Sequence, residues 1–146
     1  MTPQTTGLII GGLIPALLYG MSAIFQRGST GMGIGIGPFL IAAGMAIILT
    51  GAALLWLDPG REWTMRSALL AMGSGTAWGI GTSLVAVALV RYSVPLGKLV
   101  PLYNMNSLVA VTLALWIFAE WKQVKVPQLL IGSILIVIGG TLVARA

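Results

Sequence analysis

Charged positions in this chain punctuate long apolar runs. Apolar residues dominate 7–25, 38–57, 67–90, 97–118 and 127–143, and the charged and turn-forming residues gather between them. At ~1.5 Å of rise per residue, about twenty helical residues cross the ~30 Å hydrocarbon core of a bilayer. The pattern therefore predicts an all-α integral membrane protein with five transmembrane helices over those ranges. Helix 1 ends at Gln26-Arg27, and Gly28 to Gly37 (GSTGMGIGIG) reads as a glycine-rich, flexible connector suited to gating access. It carries neither a GxGxxG register nor Gly-Lys-Ser/Thr, so it is no nucleotide loop. Pro38 suits the first turn of helix 2, and Trp56 marks that helix's interfacial end. Asp58-Pro59-Gly60-Arg61-Glu62 reads as a solvated turn. Ala119 to Val126, with Glu120, Lys122 and Lys125, is the hydrophilic hinge of a tight hairpin. MTPQTTG has no lysine or arginine before the first run, so that run is expected to be a permanent helix, not a cleaved signal.

Within the helices, polar and small residues fall on defined faces. Pro15, Tyr19, Ser22 and Gln26 lie on one face of helix 1, each within about 40° of Pro15 at ~100° per residue. A polar stripe on a membrane helix should face protein or water. Small-xxx-small rows run through Gly12, Ala16 and Gly20, and through Ala71, Gly75, Gly79 and Ser83 on helix 3, and allow close helix approach. Ser74, Trp78 and Thr82 share the face beside the second row. In helix 4, Pro95 and Pro101 flank Lys98, so this helix should start late or be broken there. Beyond the second proline, Tyr103, Asn106 and Ser107 share an arc of about 100°, with Asn104 beside them. Amides and hydroxyls at that depth are costly against lipid. The candidate lining of a substrate cavity is therefore Tyr19, Ser22, Gln26, Trp78, Thr82, Tyr103, Asn106 and Ser107. The competing reading makes the helix 1 residues interhelical hydrogen-bond partners and Trp78 a packing group. Lys98 either snorkels to headgroups or serves as a charge site for an anionic group.

Composition narrows the chemistry. Of 146 residues, 58% are hydrophobic and 8% charged, with a mean hydropathy of +1.00, which excludes an ordinary soluble domain. Twenty glycines fit close-packed membrane helices. No cysteine and no histidine leave no thiolate or imidazole metal ligand, and three carboxylates are few for acid–base work. No enzyme activity, metal or cofactor is expected. The net charge of +5 is carried by eight basic residues scattered singly. They act as interfacial anchors, not as a nucleic-acid face. The expected location is the cell membrane, as a multi-pass protein of a bacterial inner membrane.

Pro101, then Phe118-Ala119-Glu120-Trp121, then Gln128 to Thr141 (QLLIGSILIVIGGT) follow one another in an order that resembles the C-terminal hairpin of the drug/metabolite transporter superfamily, with its EamA-like repeats. Helix 1, LIPALLYGMSAIFQRGS, is similar to the opening of such repeats, with Tyr19 where tryptophan is common. The resemblance implies that residues 1–146 form a single EamA-like transmembrane domain, one inverted-repeat unit of a ten-helix architecture. It also implies that helix 1 lines the substrate path, and that helix 5, with Gly132, Gly139 and Gly140, packs between repeats. One repeat holds half of a path that lies between two halves. Arg61, Arg66, Lys122 and Lys125 fall on one side of the membrane and Arg27, Arg91, Lys98 and Arg145 on the other. Without a bias the positive-inside rule sets no orientation. An antiparallel homodimer is the simplest completion. A parallel dimer or a sister half-transporter is the alternative, and counting Lys98 with the membrane instead makes the tally four to three.

The function this predicts is alternating-access transport of a small polar or amphipathic metabolite, such as a sugar, amino acid or nucleoside. One rival is a proton-coupled exporter of the small-multidrug-resistance type, which uses four helices and a buried helix 1 glutamate. Helix 1 has no carboxylate between Gly7 and Phe25. Glu120, at a helix end, reads as a structural partner of Lys122 or of an anchor such as Arg91. The other rival is a membrane scaffold whose polar stripes only hold helices together.

Overall fold

The computed structural model describes residues 2–57, 63–122 and 124–146, with Glu120 described by its backbone alone. The turn expected at Asp58–Glu62 and the pairing expected of the Glu120 side chain lie outside the described residues. All regular structure among them is helical, and five helices are long and apolar enough to cross a membrane: Pro3–Gly31, Ile36–Leu57, Met65–Arg91, Leu96–Ile117 and Val126–Arg145. The protein is thus a multi-pass membrane protein by the length and composition of its helices. The chain divides into two compact units, Met1–Ser93 and Val94–Ala146.

In the first unit, α1 (Pro3–Gly31), α2 (Ile36–Leu57) and α3 (Met65–Arg91) contact one another. The α1 helix contains a π-turn at Ile9–Leu13, where the Ile14 N–H reaches back to the Ile9 carbonyl. Pro15 follows directly. It has no N–H to offer the Gly11 carbonyl, and its ring crowds that turn. The wider turn through Gly11 and Gly12 accommodates it without ending the helix. A β-carbon at Gly12 or Gly20 would meet nothing within 4 Å, so the expected row is open in this unit. The stripe from Pro15 to Gln26 lies beyond the π-turn and keeps its register.

The same helix runs six residues past its expected end at Phe25, to Gly31. Its last turn is closed by the Thr30 hydroxyl, which donates to the Gln26 and Arg27 carbonyls at 2.8 and 3.2 Å. Gly33, at φ +89°, then donates to the Thr30 carbonyl at 3.1 Å, the left-handed stop that glycine supplies at least cost. The connector is therefore only Met32–Gly35, and the long flexible loop expected over Gly28–Gly37 is not formed.

Apolar all round, α2 has no buried residue, as suits a span surrounded by lipid or by other helices. Thr64 and Ser67 form a capping box at the start of α3, satisfying amides that helix geometry leaves free. Packing concentrates near the α1 C-terminus and the last turns of α3, where Ala23, Thr30, Ala86 and Leu89 are buried. The expected seam at Gly75 and Gly79 meets nothing within 4 Å, so it is open in this unit.

The second unit is a hairpin of α4 (Leu96–Tyr103), α5 (Asn106–Ile117) and α6 (Val126–Arg145), with one 3₁₀ turn at Glu120–Lys122. Before that turn Ala119 sits at φ +52°, a left-handed position that costs a β-carbon roughly 1–2 kcal/mol. The fourth span is interrupted, as expected, but C-terminal to the expected site. Pro101 lies inside α4, and the break comes at Asn104 and Met105. There the ladder tightens: Met105, Ser107 and Leu108 donate to Leu102, Asn104 and Met105, three residues back. Of the three glycines in α6, only Gly140 makes a close approach. A β-carbon on it would stand 3.0 Å from the Pro101 carbonyl oxygen, whereas Gly132 and Gly139 meet nothing within 4 Å.

Candidate functional site

The predicted site residues divide between the two units, and each group is placed within its own. In the first unit the structure joins Gln26 to Thr82. The Gln26 Nε2 donates to the Thr82 main-chain carbonyl at 3.0 Å, clasping α1 to α3. That carbonyl also serves the helical ladder, so Gln26 adds a second donor to an oxygen with two lone pairs. Ser83 closes its hydroxyl onto the Gly79 carbonyl at 2.8 Å. Tyr19, 73% exposed, and Trp78, 47% exposed, stand clear of this contact. Ser22 is exposed as well, and neither Tyr19 nor Ser22 makes a side-chain hydrogen bond among the described residues.

This clasp separates side chain from main chain. Gln26→Leu is expected to destabilise the protein by about 0.6–1.7 kcal/mol, the range for interhelical hydrogen bonds in membranes. Thr82→Val should cost less, because it leaves the accepting carbonyl in place. Thermal unfolding of the two purified variants checks the contrast.

In the second unit, Tyr103, Asn104, Asn106 and Ser107 all fall on or beside the break. Asn104 and Asn106 are exposed; Tyr103, Ser107 and Lys98 are half-buried. The break has a definite hydrogen-bond consequence. A regular helix would send the Met105 N–H to Pro101 and the Ser107 N–H to Tyr103. The Met105 N–H goes to Leu102 instead and the Ser107 N–H reaches Asn104, at 3.2 Å each, and the Ser107 hydroxyl also donates to Asn104, at 2.9 Å. Neither Asn104 nor Met105 therefore donates to the Pro101 carbonyl. Gly97 loses its regular partner too, since Pro101 has no N–H. The positions came from side-chain polarity; the Pro101 carbonyl's lost partner was missed, although Pro101 signalled a disturbed ladder.

The hairpin also encloses a cleft of about 250 Å³ between α5 and α6. Leucine, isoleucine and valine line it, with Thr112 and Ser133 as the polar exceptions. No predicted site residue belongs to it, so it is separate from the polar break. Lys98, the third residue of its span, is six residues from Asn104, about 9 Å along a helix axis.

Compared with known proteins, the chain matches no family profile, no curated protein sequence and no solved structure.

Proposed function

We propose that this protein is a small-solute transporter of the drug/metabolite type, built from two five-helix units and working by alternating access. The observation that carries the reading is the interruption of the span Leu96–Ile117 at Asn104–Met105, with Tyr103, Asn106 and Ser107 beside it. Non-helical backbone at membrane depth is tolerated where it is buried in protein or lines a water-filled cavity. Discontinuous helices near the midplane are where transporters hold their substrates. Neutral amides, hydroxyls and aromatic rings suit a small polar or amphipathic metabolite, such as a sugar, amino acid or nucleoside. Lys98 would offer its ammonium to an anionic group at the mouth of the path. A second unit completes the path, and the balanced basic residues favour an antiparallel homodimer in the cell membrane, a bacterial inner membrane.

A second reading has its own support: the Gln26–Thr82 clasp makes one polar side chain a structural tie, as a membrane scaffold would use it. Reconstitution separates the two. Proteoliposomes of the purified protein are expected to move at least one member of a labelled panel of sugars, amino acids and nucleosides saturably. Asn106→Ala should lower that flux by about tenfold while the dimer survives. Absence of flux for the whole panel, or loss of assembly with Asn106→Ala, favours the scaffold.

Orientation has a separate test, made simple by the lack of native cysteine. Ala146→Cys in intact membranes should label in comparable fractions from both sides with an impermeant thiol reagent. Labelling from one side alone removes the antiparallel homodimer.

A further inference from the structure

We propose that the π-turn at Ile9–Leu13 is a hinge, about which the N-terminal arm of α1 turns while the rest of the helix stays fixed to α3. The fixed end is held by packing and by polar ties. Ala23 and Thr30 are buried, the Gln26 amide grips the Thr82 carbonyl at 3.0 Å, and the Thr30 hydroxyl closes the last turn. The contacts of α1 with α3 concentrate in its segment Ile14–Gly31. The arm Pro3–Leu8, by contrast, has no buried residue. A β-carbon on Gly7, Gly11 or Gly12 would meet nothing within 4 Å. One end of the helix is thus anchored, and the other is held mainly by its own ladder.

Between the two ends the ladder is disturbed. The Ile14 N–H reaches back to the Ile9 carbonyl, one residue further than in an α-helix, and Pro15 brings no N–H at all. Gly11 and Gly12 stand in the same turn, and glycine has the widest choice of φ and ψ. Helices bend at π-turns and prolines, and a hinge is a few residues that absorb a change in φ and ψ. The wide turn also holds one residue more than a regular one. Passing that residue to the arm rotates the arm by ~100° and lengthens the helix by ~1.5 Å, the screw step of one α-helical residue. Both settings keep the main chain helical, as a membrane requires. The stripe of Tyr19, Ser22 and Gln26 lies beyond the turn and stays with the anchored end, so the arm moves relative to it. The arm's use as a gate to the solute path rests on the transporter reading; the hinge does not.

The test measures distances between paired spin labels on the whole chain in liposomes, diluted with unlabelled protein so that each pair lies within one copy. No native cysteine interferes. Leu8→Cys with Ile24→Cys spans the π-turn, and Ile41→Cys with Leu55→Cys spans regular α2; all four positions are exposed. The distance distribution of the first pair is expected to be about twice as wide as that of the second, as a bending helix against a straight one. Pro15→Ala, which removes the cause of the wide turn, should narrow it to the α2 width. Fraying of the first turn would widen the first distribution as well, but Pro15→Ala would then leave it unchanged, and that result overturns the proposal. Equal widths for the two pairs in the native chain overturn it too. A width that narrows with Pro15→Ala where no solute is transported would remove the transporter reading and leave the hinge standing.

Discussion

Gly140→Val is expected to destabilise the hairpin by about 1–3 kcal/mol, the usual cost of forcing extra atoms into a closed contact. The reason is one distance: a β-carbon at this position would lie 3.0 Å from the Pro101 carbonyl oxygen and 3.6 Å from both the Pro101 carbonyl carbon and the Met105 Cγ. Met105 can turn aside, but the Pro101 carbonyl is main chain and cannot yield without moving α4. The contact exists because two local facts meet. The tightened turn withdraws the Met105 N–H from the Pro101 oxygen, and that oxygen lies where only a glycine Cα–H can face it. Such a Cα–H···O contact contributes about a further 0.5–1 kcal/mol. The neighbouring glycine supplies the control. Gly139→Ala meets nothing within 4 Å and should gain up to about 1 kcal/mol of helix propensity. Thermal or detergent unfolding of Gly139→Ala, Gly140→Ala and Gly140→Val should therefore give opposite signs at adjacent residues. Similar losses at both positions would mean that Gly139 is covered by a second copy.

These two glycines show where sequence reading stops. All five spans were legible, because twenty-residue apolar runs have few other uses; four appear within two residues of their expected ends, and the first is longer by four and six residues at its two ends. The ends were less legible where glycine served as punctuation. Gly28 and Gly31 look like loop residues, yet they continue α1, since a main chain in or near the membrane keeps its hydrogen bonds by staying helical. The π-turn left no periodic trace. Pro15 gave the only hint of it, and proline alone does not say whether a helix kinks, bulges or stops. Pro101 announced a broken helix but not its site, because the tightened turn lies three residues beyond it. For the candidate site, helical-wheel arithmetic found the polar faces, but a wheel gives directions and not neighbours. Hence Gln26 and Thr82 were both named as lining a cavity, yet the Gln26 amide is spent on the Thr82 main chain. At the break Tyr103, Asn106 and Ser107 are close in sequence and need no tertiary fold to be brought near one another, but the wheel assumes a continuous helix that the turn at Asn104–Met105 interrupts.

Pro101→Ala carries the reading of that break to its sharpest test, because stability and function should move in opposite directions. Proline inside a helix costs about 3 kcal/mol relative to alanine, through the missing N–H and the clash one turn back. Here it is the sixth residue of an eight-residue helix. Alanine would return a donor to the Gly97 carbonyl and leave the Pro101 carbonyl that faces Gly140 as main chain. Part of the proline penalty is already relieved by the tightened turn, so a gain of about 1–3 kcal/mol in unfolding stability is expected. If α4 and α5 must change their angle during transport, a more regular helix resists that change, and flux in proteoliposomes should fall by about tenfold. A scaffold would show the gain and lose nothing. A gain in stability with flux intact would make the proline incidental and place the moving element elsewhere. A loss of stability would show that the ring itself is packed, and that the break is held by contacts on the proline rather than by its missing N–H.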